Sequence, residues 1–236
     1  MQRALIIGRR EFVGYFNSPA AYIVACLFLF LMGLFFWEPF FLVNRASVRS
    51  MFELMSILLL PTAPALTMGL IAEEKRTGTI ELLLTMPVRD TEVIVGKFLG
   101  ALGLFVALMA VTLCYPLSVA TLGNLDWGPV WSGYFGLLLQ GAAMLAIGVL
   151  ASSWTDNQLI GFFAAASIVF FLWVVDRFLP FLPTSLASVI EWVSFDYHFR
   201  SMLRGVIDTR NVIYFLSVTA LSLGLAFRAL ESRRWR

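Results

Sequence analysis

Few side chains in this sequence combine a reactive type with the spacing that catalysis needs. His198 is the only histidine, so a zinc site or a Ser-His-Asp arrangement would depend on that residue alone. Gly96 and Lys97 resemble the end of a phosphate-binding loop, but Phe98 stands where that loop has Ser or Thr, and no glycine lies five residues before Gly96. We therefore expect no catalytic residue, no metal site and no cofactor in this chain.

The stretch EEKRTGTIELLLTMPV, Glu73 to Val88, is more informative. It opens with four ionised residues in a chain of which only 14% is charged. A short helix from about Thr79 to Met86 fits its second half, with Gly78 as the cap and Pro87 at the end. Glu81 then lies in the first turn, where the helix dipole favours an acid.

The apolar face of that short helix needs a partner. Leu82, Leu83 and Leu84 must be buried against the bilayer surface, against the protein's own bundle or against another protein. The residues alone leave these three alternatives open.

Composition places this stretch in a membrane protein. The chain is 60% hydrophobic and 15% aromatic, which lies outside the usual range for a soluble domain. A helix needs roughly 20 apolar residues, with about 17 as the lower limit, to cross a bilayer. Six charge-free intervals meet that length: Phe12 to Trp37, Leu54 to Ala72, Phe98 to Leu125, Trp127 to Thr155, Asn157 to Val175 and Asn211 to Phe227. We predict an all-α membrane protein with six transmembrane helices, forming one domain over residues 1–236.

Two further segments are predicted to lie at the membrane surface. Residues 1–18 place apolar side chains among arginines, which is typical of an amphipathic interfacial helix. Residues 177–210, between the fifth and sixth helices, include an apolar part that is too short to cross and contains Pro180 and Pro183, so a re-entrant or interfacial segment is expected. Its aromatic residues suit an interfacial belt: Phe178, Phe181, Trp192, Phe195, Tyr197 and Phe199.

Prolines and small residues mark the second, fourth and fifth spans. Pro61 and Pro64 each remove a backbone donor and are predicted to kink span two, either to gate a pathway or as a static packing feature. The small residues permit close helix packing, within the chain or between subunits: Gly141, Ala142, Ala143, Gly148, Gly161, Ala164, Ala165 and Ala166. One bundle has too few helices to enclose a path for a large cargo, so we predict that spans two and five meet their counterparts across a two-fold axis.

The distribution of Lys and Arg predicts the orientation. With the N-terminus in the cytoplasm, only six of the 17 basic residues lie outside: Arg45, Arg49, Arg177, Arg200, Arg204 and Arg210. Both termini are then cytoplasmic, and residues 73–91 form a cytoplasmic loop between spans two and three.

The quoted stretch resembles the signature of the ABC-2 type transporter permeases, in which an acid-basic-Gly-Thr-acid-Leu pattern forms a coupling helix on the ATP-binding subunit. Three further segments are similar to the gliding-motility-associated GldF-like branch of that family: RREFVGYFNSPAAYI, GKFLGALGLF and GYFGLLLQGAAMLAIGVLASSWTDNQLIGFF. The resemblance implies these ATPase-coupling residues: Glu73, Glu74, Arg76, Gly78, Thr79, Glu81, Leu82, Leu83, Leu84 and Pro87. It also implies three partners: a cytoplasmic ABC ATPase that binds the ATP and magnesium, a second permease copy or related permease, and a GldG-like auxiliary membrane protein.

Together these features predict the permease subunit of an ABC exporter in the bacterial cytoplasmic (inner) membrane, with no nucleic-acid partner. The acids Glu38, Glu53, Asp156 and Asp176 lie at span ends, which argues against an ion-driven secondary transporter. The alternative is a non-transporting anchor that transmits force from an ATPase to an envelope or gliding-motility complex. ATP-dependent flux in sealed vesicles would separate the two.

Overall fold

A computed structural model describes residues 2–43, 48–79, 89–181 and 190–232 of the chain. Within these ranges the backbone is helical and contains no β-strand. The helices are α1 (Gln2–Phe16), α2 (Pro19–Val43), α3 (Arg49–Thr67), α4 (Gly69–Arg76), α5 (Asp90–Thr112), α6 (Cys114–Leu122), α7 (Trp127–Trp154), α8 (Gln158–Val174), a 3-10 helix (Val175–Phe181), α9 (Phe195–Met202) and α10 (Thr209–Glu231).

The long apolar helices confirm the all-α membrane architecture. Five are long and apolar enough to cross a bilayer: Arg49–Arg76, Asp90–Leu122, Trp127–Trp154, Gln158–Phe178 and Thr209–Glu231. A bent pair of helices, Arg3–Phe16 and Ala21–Phe36, meets at 72°, and the count rises to six if this pair is taken as one span. The helix of span three begins at Asp90, before the predicted start at Phe98, so Lys97 belongs to a helix and not to a loop.

Helix α7 is the centre of the bundle, and its glycines allow neighbouring side chains to reach its backbone. A Cβ atom on Gly133 would lie 2.5 Å from the ring of Phe52 in α3. One on Gly136 would lie 2.6 Å from Met202 Sδ in α9, and one on Gly141 would collide with the ring of Phe105 in α5. Of the predicted small residues, Gly141 and Gly148 therefore serve packing inside the chain.

Buried polar side chains also join α7 to its neighbours. Gln140 Nε2 donates a hydrogen bond to Ser56 Oγ of α3 at 2.7 Å. The hydroxyls of Thr112 in α5 and Tyr134 in α7 lie 3.2 Å apart. Such hydrogen bonds satisfy groups that lipid could not solvate, so they hold the three helices in one register.

Helix α3 runs through both Pro61 and Pro64 and is interrupted after them, at Met68. Thr62 and Thr67 donate hydrogen bonds to the carbonyls of Leu58 and Ala63 at 2.6 and 2.8 Å. Pro61 and Pro64 have no N–H to donate to the carbonyls four residues earlier, those of Ile57 and Leu60. The two threonine hydroxyls therefore do not replace the hydrogen bonds that the prolines lack. The short helix α4 continues the span after Met68, so Glu73–Arg76 are helical and the loop begins at Thr77.

The segment after α8 packs on the far end of the bundle through α9. Phe195 and Phe199 of α9 are fully buried in the core, so the prediction that they join an interfacial belt is wrong. Phe178, Trp192 and Tyr197 are exposed. The helical period of α9 explains the difference, because residues four apart share the face that packs against α7.

Gly148→Ala is expected to destabilise the protein, because the new methyl group would lie 2.8 Å from Thr67 Cβ, a distance that no rotation of the Thr67 side chain relieves. Overpacking of this kind costs about 1–3 kcal/mol. Thermal unfolding in detergent measures the effect. The control is Gly224→Ala in α10, where no atom lies within 4 Å and helix propensity favours Ala by roughly 0.5–1 kcal/mol. Equal melting temperatures for the two variants would contradict the close α3–α7 approach.

Candidate functional site

Lys97 lies at the centre of a charge cluster that joins three helices. Its Nζ is 2.8 Å from Glu74 Oε1 of α4 and 3.2 Å from Glu11 Oε1 of α1. The Lys97 side chain is 1% exposed, and that of Glu74 is 19% exposed. Because a buried ammonium group needs compensating charge, the two carboxylates fix α1 and α4 against the start of α5.

Two glycines on α5 allow α1 to cross it closely. A Cβ on Gly96 would lie 2.7 Å from Ile7 Cβ, and one on Gly100 would lie 2.5 Å from Glu11 Cβ. The Glu11 carboxylate can therefore reach Lys97, one residue after Gly96. On the outer side of α1, Leu5 and Ile6 remain exposed.

Ser152 of α7 holds the break between α3 and α4. Its hydroxyl accepts hydrogen bonds from the backbone N–H groups of Ile71 and Ala72 at 3.1 and 3.0 Å, and donates to the Met68 carbonyl at 2.9 Å. These N–H groups lie in the first turn of α4, directly after the break at Met68. Lys75 also donates to the Ser153 carbonyl. Helix α4 is thus fixed to the end of α7.

Glu73 connects α4 to α8 and to its own helix end. Gln158 Nε2 donates to Glu73 Oε2, and Arg76 pairs with Glu73 Oε1 at 2.6 Å. The Glu73 side chain is 36% exposed and that of Arg76 is 65% exposed, so this pair lies at the surface. Together with Glu11, Lys97 and Glu74, these residues form what we call the α4 cluster.

The end of α4 differs from the sequence-based expectation. Gly78 has a φ of 72°, a left-handed conformation that L side chains rarely adopt, and it follows the C-cap residue Thr77. Gly78 therefore terminates α4, a role that the sequence analysis did not predict. The hydroxyls of Thr77 and Thr79 lie 2.9 Å apart beside it, both exposed.

The predicted coupling residues are only partly within the described residues. Five of them are described and lie at or just beyond the end of α4: Glu73, Glu74, Arg76, Gly78 and Thr79. Pro61 and Pro64 lie in α3, before the Met68 break. The others fall outside the described residues: Glu81, Leu82, Leu83, Leu84 and Pro87.

Sequence reasoning did not identify Glu11, Lys97, Ser152 and Gln158 as members of the site. The available signal was Lys97 itself, a charged residue between Gly96 and Gly100 in a helix whose other charged residues, Asp90 and Glu92, lie in its first turn. Its carboxylate partners lie 86 and 23 positions away in the chain, so their pairing is a property of the tertiary structure.

A cavity of about 380 Å³ opens beside the α4 cluster. Glu11, Glu74 and Lys97 line its polar side, and Ala21 and Leu66 line its apolar side. Tyr15 of α1 crosses its wall and donates a hydrogen bond to the Leu66 carbonyl at 2.6 Å. Among the described residues no group of His, Cys, Asp and Glu is arranged to hold a metal ion.

A family model described as ABC-2 family transporter protein matches residues 39–234 of the chain. The match includes α4, Lys97, Ser152 and Gln158, and it excludes Glu11 and the rest of α1. No curated protein matches the sequence.

Lys97→Met should destabilise the protein by about 3 kcal/mol, because it removes the buried cation from two largely buried carboxylates, of which Glu11 keeps the exposed Arg10 at 3.7 Å. Thermal unfolding of the full chain in detergent measures this loss. The triple variant Lys97→Met, Glu11→Gln, Glu74→Gln removes every charge of the trio and should recover most of the stability. As a surface control, Glu53→Gln breaks the exposed Arg49–Glu53 pair and should cost about 0–1 kcal/mol. A triple variant no more stable than the single one would refute the ion-pair explanation.

Proposed function

Because the chain belongs to the ABC-2 transporter family, we propose that it is the permease subunit of an ABC exporter driven by a separate cytoplasmic ATPase. A multi-pass membrane protein of this family is a transporter component and is not itself catalytic. The observation that carries the proposal is the family match over residues 39–234, which includes the EEKRTG motif and most of the helices that hold it.

The α4 cluster supports a division of roles among the coupling residues. Glu73 and Arg76 lie at the surface, where they can contact an ATPase and orient it. Glu74 points inward to Lys97, so its contribution to coupling passes through α1 and α5. Gly78 ends α4 with a left-handed backbone conformation.

The contacts of α4 supply a route for mechanical coupling. A displacement at the end of α4 acts on α5 through Glu74, on α7 through Ser152 and on α8 through Gln158. The loop directly joins only spans two and three. Through the contacts of α4, nucleotide-driven movement of the ATPase would also reach α7 and α8. The same contacts resist independent movement of α4.

The finer assignments extend this proposal. Similarity in the segments quoted above supports the GldF-like branch and a GldG-like partner, in the inner membrane with both termini cytoplasmic. A second permease copy fits the exposed apolar surface of α8, where Phe163, Phe170 and Phe171 face outward. The family match favours transport over the alternative of a non-transporting mechanical anchor.

The proposed orientation predicts a labelling pattern in intact cells. In a background where Cys26 and Cys114 are replaced by Ala, a cysteine at Thr85 or Ser232 should be shielded from an impermeant maleimide. A cysteine at Ser47 should react, because it lies on the opposite side of the membrane. Reaction at Thr85 before the cells are permeabilised would reverse the topology.

Leu83→Asp should sharply reduce ATPase association while membrane insertion is unaffected, because an unpaired buried charge costs several kcal/mol. The measurement is a detergent pull-down of the partner ATPase, at matched expression. Ser232→Asp adds the same charge at an exposed position on the proposed cytoplasmic side and should leave the yield unchanged. Glu81→Gln should cost only about 0–1 kcal/mol, as expected for an exposed ion pair. An unchanged yield for Leu83→Asp would exclude the ATPase contact for that residue and leave the bilayer surface or the protein's own bundle.

A further inference from the structure

A second polar cavity lies at the end of the bundle opposite the α4 cluster. Its volume is about 460 Å³, and it is bounded by the start of α3, by α9 and by the start of α10. Four arginines line it, Arg49, Arg200, Arg204 and Arg210, and Asp208 is its one acidic lining residue. We call this cavity the arginine cleft.

The charge of the arginine cleft is only partly balanced within the chain. Arg200 pairs with Asp176 at 3.1 Å and also with Asp196, and Arg49 pairs with Glu53 at 3.1 Å. In contrast, Arg204 and Arg210 form no ion pair within the described ranges. Their two guanidinium groups leave the cleft with uncompensated positive charge.

Asp208 does not neutralise these arginines by direct pairing. Its Oδ1 accepts a hydrogen bond from the Arg210 backbone N–H at 2.9 Å, which caps the first turn of α10. The cleft also receives the N-terminal end of this 23-residue helix, and the helix dipole adds to its positive potential.

The wall of the cleft is fixed before any ligand binds. His198 is 3% exposed and lies 2.7 Å from Asn211 through Nδ1 and Oδ1, and its ring stacks on Tyr214 at 4.0 Å between centroids. Asn211 Nδ2 donates in turn to Ser201 Oγ. These contacts hold α9 against α10, so Arg204 just after α9 and Arg210 in the first turn of α10 keep their relative positions.

The position of the cleft identifies the source of its ligand. It lies where the membrane spans of α3 and α10 begin, and the exposed rings of Trp192 and Tyr197 line it. Trp and Tyr favour the headgroup level of a bilayer, while Arg forms two-pronged hydrogen bonds with phosphate. We propose that the arginine cleft binds the phosphate group of an anionic lipid or lipid-like amphiphile.

This site is separate from the ATPase-coupling proposal, and binding can be tested with the full chain alone. Dihexanoyl phosphatidic acid is titrated into purified protein in a zwitterionic detergent, with dihexanoyl phosphatidylcholine and inorganic phosphate as separate arms. Calorimetry gives the affinity, and the fluorescence change that is lost in Trp192→Phe locates the ligand in the cleft. The variant Arg204→Gln, Arg210→Gln should bind phosphatidic acid at least tenfold more weakly, because each lost charge-assisted hydrogen bond is worth about one order of magnitude in affinity.

The control variant Arg9→Gln, Arg228→Gln removes two exposed arginines at the opposite end and should bind as tightly as the unmodified chain. Phosphatidic acid binding without inorganic phosphate binding would support a lipid headgroup, and equal binding of both would overturn the lipid assignment in favour of a site for free phosphate. The proposal is overturned if neither phosphatidic acid nor inorganic phosphate binds, or if phosphatidylcholine binds as tightly as phosphatidic acid. It is also overturned if the two double variants bind phosphatidic acid with the same affinity. Thermal unfolding of both variants confirms that they are folded.

Discussion

The structure depends on access to the backbone of α7. Neighbouring side chains from α3, α5 and α9 contact this helix where Gly133, Gly136, Gly141 and Gly148 carry no side chain. In lipid no hydrophobic effect drives one helix onto another, so close van der Waals contact must supply much of the association energy. Glycines provide that contact over most of the length of α7, and the hydrogen bonds of Gln140 and Tyr134 add directional restraint. The remaining helices then occupy positions relative to this central one.

Both functional ends of the molecule are built on α7. At one end Ser152 satisfies the first turn of α4, and Lys75 reaches the neighbouring Ser153 carbonyl. At the other end Ser132 Oγ donates to the Met202 carbonyl at 2.7 Å and so holds the end of α9 beside the arginine cleft. A single rigid helix therefore connects the proposed ATPase-contacting motif to the opposite face. That arrangement suits a protein in which an event on one side of the membrane must change the other side.

The α4 cluster shows why a lysine is kept in a buried position. Replacing a buried ion pair by apolar residues is often neutral or favourable for stability, so stability alone does not explain Lys97. Its ammonium group requires two carboxylates from separate helices, and this requirement specifies where α1 and α4 lie. The crossing glycines Gly96 and Gly100 make the geometry possible, and the exposed apolar side of α1 is left for the membrane surface. The ion pairs of Lys97 thus specify the positions of α1 and α4, although their net contribution to stability is modest.

The sequence by itself determined the membrane class, the apolar intervals long enough to cross a bilayer and the motif that resembles the ABC-2 permeases. Apolar length and charge clustering are local properties, so they can be read without the fold. The tertiary structure alone decided that Glu74 faces Lys97, that Gly78 ends α4, and that Phe195 and Phe199 are buried. It also decided which arginines share a cleft, since Arg49 and Arg210 are 161 positions apart in the chain. The physical reason is that pairing and burial depend on how helices cross, and crossing is set by contacts between residues that are distant in sequence.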